Sequence, residues 1–277
     1  MFGYLILGLG FLLFRQPRLM FTSFACCAGL CLYLKNAGNN TLIYPHPTNA
    51  AIVDIAHFNV SNHSSFTQEQ DKVVADLLSI DMDIISFQDF NDNLALLNEL
   101  KVSLQPKYPY ILESLQFSQY DLIVFSKHPI KKKDVFYYHP KPGNIKIPIL
   151  RGCIQLEDNK QDIYFVTTYM QPPYNENGNF FENFKGQLDL MTEYTNSVKA
   201  PVLNFGEFND VSFSSELVDF RKRTHLKDSR IFPGLRGSPV SHIFYSNPFI
   251  CVGFREVKNE NSEPFGIVGS YQLSTPL

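Results

Sequence analysis

Ala200-Pro-Val-Leu-Asn-Phe-Gly-Glu-Phe-Asn-Asp210 is the stretch on which the fold class turns. Val202, Leu203 and Phe205 form a short apolar run that reads as a buried strand, and the run breaks at Gly206 into Glu207, Asn209 and Asp210. A buried strand ending in convergent polar groups is how an α/β protein displays a site at the edge of a sheet. Glu207 and Asn209, two residues apart on an extended segment, point to the same side and can address one phosphate or one metal-bound water. The same residues also fit a plain strand followed by a polar turn. The flanking chain decides between the two.

On both sides of this stretch, strands and helices alternate. Residues 51–60 read as a strand ending in Asn59. A polar loop follows at 61–65, then a helix capped by Thr67, with Gln70 as its capping-box partner and Val73, Val74, Leu77 and Leu78 as its buried stripe. Residues 83–87 form the next buried strand and deliver Gln88 and Asp89 at its end. A helix over 93–104, a Pro-Tyr break at 106–110 and a strand over 120–126 come next. Lys131-Lys-Lys133 reads as a solvated charge run at a loop. Strands over 147–156 and 162–168 join through a turn at 158–160, and a helix over 183–198 leads into the opening stretch. A helix near 214–223 and strands over 242–246, 250–257 and 267–273 complete the chain.

The N-terminus has a different character. Residues 1–14 are apolar throughout, Arg15-Gln-Pro-Arg18 interrupts, and 19–34 are again apolar apart from Thr22 and Ser23. Two hydrophobic helices around a basic turn predict a transmembrane hairpin over 1–35. Each run is somewhat short of the ~20 residues a spanning helix needs, so the bilayer is thinned or the natural start lies upstream. A signal peptide would carry its basic residues before the apolar core and a small-residue cleavage site after it, and neither is present. With Arg15 and Arg18 held on the cytoplasmic side, the rest of the chain lies on the extracytoplasmic side, periplasmic or external. Residues 36–50 read as a linker and 51–277 as one large domain.

Net charge is −3 over 277 residues, with 44% hydrophobic content. That is enough chain for a sizeable core, and the charge argues against a nucleic-acid partner held through a basic surface. Cys26, Cys27, Cys31, Cys153 and Cys251 show no metal-ligand spacing. Buried free thiols are expected, with a Cys153–Cys251 disulfide left open for an exported domain. The 25 Phe and 14 Tyr read mostly as core, and the domain is expected to be monomeric.

Polar groups gather at the strand ends: Asn59, Gln88-Asp89, Phe125-Ser-Lys-His-Pro129, Thr167-Thr-Tyr169-x-x-Pro172, Gly206-Glu-Phe-Asn209, Ser241-His-Ile-Phe244 and Gly269-Ser-Tyr271. In order and spacing this series resembles the endonuclease/exonuclease/phosphatase superfamily, the DNase-like metal-dependent phosphoesterases, over about residues 51–273. The resemblance implies a four-layer α/β sandwich, two mostly antiparallel sheets face to face with helices outside, and a site at one edge of the sheets. It also implies a carboxylate-held Mg²⁺ or Mn²⁺ ion, a histidine with a partner aspartate, and an Asp–Asn pair that positions the attacking water.

The chain departs from the family's Gln-Glu, Thr-His, Gly-Asp-Phe-Asn, Asp-His and Ser-Asp-His motifs at most of them. Asn59 and Asn209 match. Asp89, the implied metal ligand, is one methylene shorter than the family's Glu, and Glu207 is one methylene longer than its Asp. Tyr169 replaces the His of Thr-His, Ser241 replaces the Asp before His242, and Ser270 and Tyr271 fall where Asp and His are expected. A misplacement near 1 Å costs on the order of 100-fold in rate, and a phenol with an ordinary pKa near 10 cannot serve as a neutral-pH base. His242 fits both a site role and a strand-packing role. His57 and His63 flank the Asn59 loop without ligand spacing, and His128 reads as structural. Arg230 fits both a phosphate ligand and a surface ion pair.

Three readings stand at this point. The first is a membrane-tethered phosphoesterase with a variant, impaired site on Asp89, Glu207, Asn59 and Asn209. The second is a pseudoenzyme that binds a phosphate ester or nucleotide without cleaving it. The third is an envelope scaffold with a vestigial cleft. The bilayer is the expected partner of residues 1–34, and the loops carry no signature of a particular phosphate ester.

Overall fold

The computed structural model describes residues 2–37, 43–48, 50–60, 79, 81–90, 93–116, 120–140, 146–156, 161–173, 180–231, 240–258 and 264–274. Two helices open the chain, α1 (Phe2–Leu13) and α2 (Pro17–Ala37). They are joined by a turn in which Arg15 takes a left-handed backbone. They touch where Gly8 lies under the Phe24 ring. No helix among the described residues is long and apolar enough to cross a membrane. At 1.5 Å per residue α1 is about 18 Å long, against a hydrocarbon core of about 30 Å.

The domain that follows contains strands β1 (Ile52–Asn59), β2 (Ile84–Gln88), β3 (Tyr110–Ser114), β4 (Leu122–Ser126), β5 (Lys132–Tyr138) and β6 (Ile147–Gln155). It continues with β7 (Asp162–Tyr169), β8 (Val202–Glu207), β9 (Lys227–Asp228), β10 (Ser241–Tyr245), β11 (Phe249–Lys258) and β12 (Pro264–Leu273). Helix α3 (Leu94–Leu104) lies between β2 and β3, α4 (Phe180–Asn196) between β7 and β8, and α5 (Ser215–Thr224) before β9. Asn93 and Ser214 are N-caps rather than helical residues, each accepting a backbone N–H, from Leu96 at 3.1 Å and Leu217 at 3.3 Å.

The strands form two six-stranded sheets, ordered β11-β12-β1-β2-β4-β3 and β5-β6-β7-β8-β10-β9. Their ladders are antiparallel except for one parallel pair in each, β1/β2 and β7/β8. Alternation along each strand assigns its two faces. Val53, Ile55, Ile84, Phe165, Leu203 and Phe205 point between the sheets into a shared core. Ala56, Phe58, Ile85 and Phe87 point the other way and pack under Leu96, Leu97, Leu100 and Leu104 of α3. Val166, Val202 and Phe244 pack under Phe184, Leu188 and Met191 of α4 and Leu217 and Phe220 of α5. The result is the expected helix–sheet–sheet–helix order, with aromatic side chains prominent in all three clusters.

Several local expectations change. Lys132 and Lys133 begin β5 instead of lying in a loop, and Tyr110 begins β3 instead of closing a Pro-Tyr break. These are edge strands, and the two sandwich edges they form touch: the Lys133 ammonium donates to the Ile111 carbonyl at 2.7 Å, and the Ser114 and Tyr137 hydroxyls meet at 3.2 Å. The linker region is partly docked. Tyr44 donates to the Ser229 carbonyl at 2.8 Å, and the Gln272 side chain clasps Thr48 and Ala50. Cys153 and Cys251 are buried free thiols in different sheets, so the disulfide left open by the sequence does not form. The polar loop over 61–65, the helix expected from Thr67 to Leu78 and the turn at 158–160 lie outside the described residues.

One backbone position controls the edge that matters. Gly206 sits at φ +144°, and a Cβ placed there would fall 2.1 Å from the Thr168 carbonyl oxygen on the parallel neighbour β7. Glycine alone satisfies both constraints. Gly206→Ala is therefore expected to destabilise the domain by about 3 kcal/mol or more, checked as a fall in the denaturant midpoint at unchanged slope; a change within about 0.5 kcal/mol would show that the strand end is free to relax.

Candidate functional site at the shared sheet edge

Both parallel pairs end at the same edge of the sandwich. There β1 and β2 present Asn59 and Gln88 from one sheet, and β7 and β8 present Tyr169 and Glu207 from the other. Carboxyl ends of parallel strands leave side chains and backbone groups facing outward without a further turn of strand, so polar residues collect there.

Glu207 is the centre of the arrangement. It is only 6% exposed, yet one of its carboxylate oxygens, Oε2, accepts from the Asn59 amide and from the Gln88 amide, the latter at 2.7 Å. Both donors come from the opposite sheet. Burial raises the Glu207 carboxyl above its ordinary range and the negative charge of Asp89 adds to that, while the amides of Asn59, Gln88 and Asn209 oppose it. Desolvation wins over three amide contacts.

Asp89 follows directly at the end of β2, at φ +62°, with its backbone N–H donating to the Asp121 carbonyl at 3.2 Å. Asn209 also has a left-handed backbone, φ +52°, and its amide donates to the Met170 carbonyl at 2.7 Å. Aspartate and asparagine tolerate this region better than other L-residues, so both acceptors are turned toward the edge at modest strain. Tyr169 lies edge-on to Tyr120, ring centroids 5.5 Å apart. Burial first, and the charges of Glu207 and Asp89 after it, hold its phenol well above the ordinary value, against a hydrogen bond with Asn209. It is a neutral hydroxyl at any physiological pH.

The structure thus brings together Asn59, Asp89, Tyr169, Glu207 and Asn209. Ser241 lies opposite Glu207 in the β8/β10 ladder, at the same edge. His242, one residue on, points to the other face of its strand. It is fully buried and stacks on Phe244 with ring centroids 5.3 Å apart. Its Nε2 meets the Asp210 backbone carbonyl at 2.8 Å and its Nδ1 meets Arg230 at 2.9 Å. A carbonyl only accepts and a guanidinium only donates, so Nε2 carries the proton and Nδ1 accepts. Burial, then the Arg230 charge, hold this imidazole well below its ordinary value. The ring thus packs behind the edge, with both nitrogens bonded inside the protein.

Ser270 and Tyr271 are not brought to the edge. The antiparallel β1/β12 register sets Ser270 opposite Asp54 and Gly266 opposite Phe58, so the start of β12, not its end, lies beside Asn59. Tyr271 is fully buried between the sheets, its hydroxyl 2.6 Å from that of Ser229. Arg230 is buried, bonded to His242 at 2.9 Å and ion-paired with Glu256 at 3.4 Å. His128 holds Asp83 at 3.0 Å, as a structural residue does. His63 lies outside the described residues.

The parts played by Gln88, which bonds Glu207, and by His57, which lies beneath the site, become visible only in the structure. The signal for Gln88 was present in the Gln88-Asp89 pair. His57 is fully buried one pleat below Asn59, its Nδ1 3.3 Å from the Ser86 hydroxyl, and burial pushes its imidazole down to about 3. Among the described residues no group of three or more His, Cys, Asp or Glu side chains could hold a metal ion. Two carboxylates and neighbouring amides nonetheless match how Mg²⁺ is usually held, by one or two carboxylates with water and phosphate oxygens completing its shell.

No family model matches the chain, and no curated protein matches it in sequence. Solved structures do match in fold. An endonuclease/exonuclease/phosphatase family protein from Bacteroides thetaiotaomicron aligns with TM-score 0.64 at 15% identity, over 82% of this chain and 97% of that one. One from Leptotrichia buccalis aligns with TM-score 0.61 at 18% identity, over 80% and 100%. Sphingomyelinase C from Streptomyces griseocarneus aligns with TM-score 0.58 at 13% identity, over 79% and 99%. The chain has the fold of the endonuclease/exonuclease/phosphatase proteins, and a shared fold at such identities leaves the activity to be argued from the site.

The raised Glu207 carboxyl makes a signed prediction. A folded-state pKa above the unfolded one means the folded chain holds the proton more tightly, so this contribution to stability is present at low pH and lost as pH rises through the raised value. Glu207→Gln keeps an acceptor for Asn59 and Gln88 and removes the charge. The variant is expected to melt above the wild type at pH 8, with the gap closing toward pH 4; a variant that melts lower at pH 8 would mean that the amides more than compensate the buried charge.

Proposed function

We propose that this chain is a membrane-anchored phosphoesterase of the endonuclease/exonuclease/phosphatase superfamily whose cleft takes a phosphate ester and whose turnover is weak or lost. The observation that carries the reading is the buried Glu207 carboxylate, gripped by Asn59 and Gln88 across the two sheets beside Asp89 and Asn209. An acid buried at a strand end costs desolvation that an apolar pair would not, which sets this contact apart from ordinary core packing.

Asp89, with Glu207 behind it, would hold a Mg²⁺ or Mn²⁺ ion. Such an ion supplies charge neutralisation at the phosphoryl oxygens when bound. Asn209 and Tyr169 offer neutral donors to the same oxygens, and the aromatic wall of Tyr120 and Tyr169 limits water at that side.

Weak turnover follows from proton chemistry. His242 has both ring nitrogens engaged, His57 is sealed below the site, and Tyr169 cannot ionise. Glu207, its carboxyl raised by burial, is the acid/base candidate left at the edge, and no second group among these stands by to share proton transfer with it. The same observation favours the second reading, a cleft that binds without cleaving.

Anchorage is supported by α1 and α2. Ile6, Leu13, Phe14, Phe21 and Leu32 are exposed on a segment whose turn carries Arg15 and Arg18. A lipid bilayer is the natural cover for such a surface, and basic residues at the turn suit its headgroups. Net charge of −3 does not favour nucleic acid as substrate.

The test uses full-length protein in detergent micelles, a chromogenic phosphodiester, and Mn²⁺ or Mg²⁺, beside Glu207→Ala prepared in parallel. Mn²⁺ binding in the wild type, weakened about tenfold or more in the variant, is expected, with hydrolysis either slow and Glu207-dependent or absent. A wild type that binds neither Mn²⁺ nor inorganic phosphate would leave the scaffold reading standing in its place.

A further inference from the structure

A chain of hydrogen bonds runs behind the site, from a residue no functional role has yet claimed. Arg230 is 5% exposed. Its guanidinium lies over the Phe254 ring at 4.8 Å, donates to His242 Nδ1 at 2.9 Å and reaches Glu256 at 3.4 Å. Its own backbone N–H is held by the Asp228 carboxylate at 2.9 Å. His242 passes the constraint on, donating through Nε2 to the Asp210 carbonyl at 2.8 Å. Asp210 adjoins Asn209, the left-handed residue whose side chain contacts Glu207 and Tyr169 and donates to Met170.

We propose that Arg230 is a positioning residue: by donating to Nδ1 it fixes His242 as the Nε2–H tautomer, and that proton holds the Asp210 carbonyl so that Asn209 keeps its left-handed backbone and faces Glu207. The physical need is clear. A histidine in the other tautomer would turn a lone pair toward the Asp210 carbonyl oxygen, two acceptors in contact within a dry environment. Lysine lacks the planar fork that lets one cation stack on Phe254 while donating in-plane to an imidazole. The backbone N–H groups of Phe208 and Asn209 both donate to the Val240 carbonyl, at 2.7 and 3.2 Å. The loop is therefore pinned from the β10 side at two points, the Val240 carbonyl and the His242 ring.

The role of Asn209 as a phosphate-ester ligand rests on the functional reading above; the positioning of its loop does not. The experiment keeps the two apart. Full-length protein in micelles, isotope-labelled at histidine, gives the tautomer of each ring from proton–nitrogen correlation spectra, with His242 assigned by its loss in His242→Gln. Amide hydrogen exchange is followed at Asn209, with Leu203, Asn204 and Phe205 of β8 as internal reference. The wild type is expected to show His242 as Nε2–H. Arg230→Met is expected to abolish the single tautomer and speed Asn209 exchange about tenfold, the loss of one hydrogen bond, with the β8 amides unchanged. His242→Gln offers one acceptor and one donor in similar places and is expected to hold Asn209 within about threefold of wild type, whereas His242→Phe is expected to match Arg230→Met.

An Nδ1–H tautomer in the wild type overturns the proposal, as does an Arg230→Met protein with unchanged tautomer and exchange, or a His242→Gln protein that behaves like His242→Phe. Where Arg230→Met loses β8 protection and so fails to fold, the wild-type tautomer and the glutamine-against-phenylalanine comparison decide. A wild type that binds neither Mn²⁺ nor inorganic phosphate removes the phosphoesterase reading and leaves these outcomes as decisive as before.

Discussion

A carboxylate buried at the end of one sheet is held by two amides that belong to the other, and much else at this edge follows from that contact. The two sheets share an apolar core with no directional preference of its own. Asn59 and Gln88 meeting Glu207 supply the direction, because hydrogen bonds to a buried charge tolerate little displacement and are strong when satisfied. The sandwich is thereby registered at its functional edge, where β1, β2 and β8 must end at matching heights. An unpartnered Glu207 in that position would carry a desolvation cost of several kcal/mol, so the amides are as much a condition of the fold as a feature of the site.

The backbone absorbs what the side chains demand. Gly206 lets β8 run against the Thr168 carbonyl, Asp89 turns away from β2 at positive φ, and Asn209 does the same after β8. Three unusual residues stand within one residue or two of the Glu207 contact or its acidic neighbour. Backbone strain of this kind persists only where surrounding bonds over-determine it. Met170 donating to the Glu207 carbonyl, and Val240 accepting from two successive N–H groups, are such bonds.

Much of this was legible in the chain, and the gaps have physical causes. The strands at 51–60, 83–87, 120–126 and 202–207 read clearly because they are buried on both faces and therefore nearly all apolar. Strands β3 and β5 did not, since edge strands carry lysine, tyrosine and polar residues on a wet face, which imitates a loop. Asn59, Asp89, Glu207 and Asn209 could be collected from strand ends alone, because alternation places the last inward residue of each strand in the cleft. Ser270 and Tyr271 were misplaced for the converse reason. The height of a residue in an antiparallel ladder depends on pairing register, and a β12 of ten residues offers two ends with no local mark to say which meets Asn59. His242 lies behind the edge rather than on it, because one step along a strand reverses the face and Ser241 and His242 are one step apart.

The two carboxylates also differ from the pattern the fold resembles in opposite senses, and this bears on what the cleft can do. Glu207 is one methylene longer than the aspartate expected there, and Asp89 is one methylene shorter than the glutamate. The longer Glu207 side chain reaches from β8 to Asn59 and Gln88 of the facing sheet, while the shorter Asp89 has less reach from the end of β2. Charge is conserved, while each side chain differs in reach by one methylene, about 1.5 Å. For binding a hydrated cation, whose shell adapts through water, such a difference is tolerable. For aligning a nucleophile with a phosphorus atom it is not, because rate falls steeply with misplacement on the ångström scale. What the structure itself shows is the clasp, in which Glu207 reaches from β8 to Asn59 and Gln88 of the facing sheet.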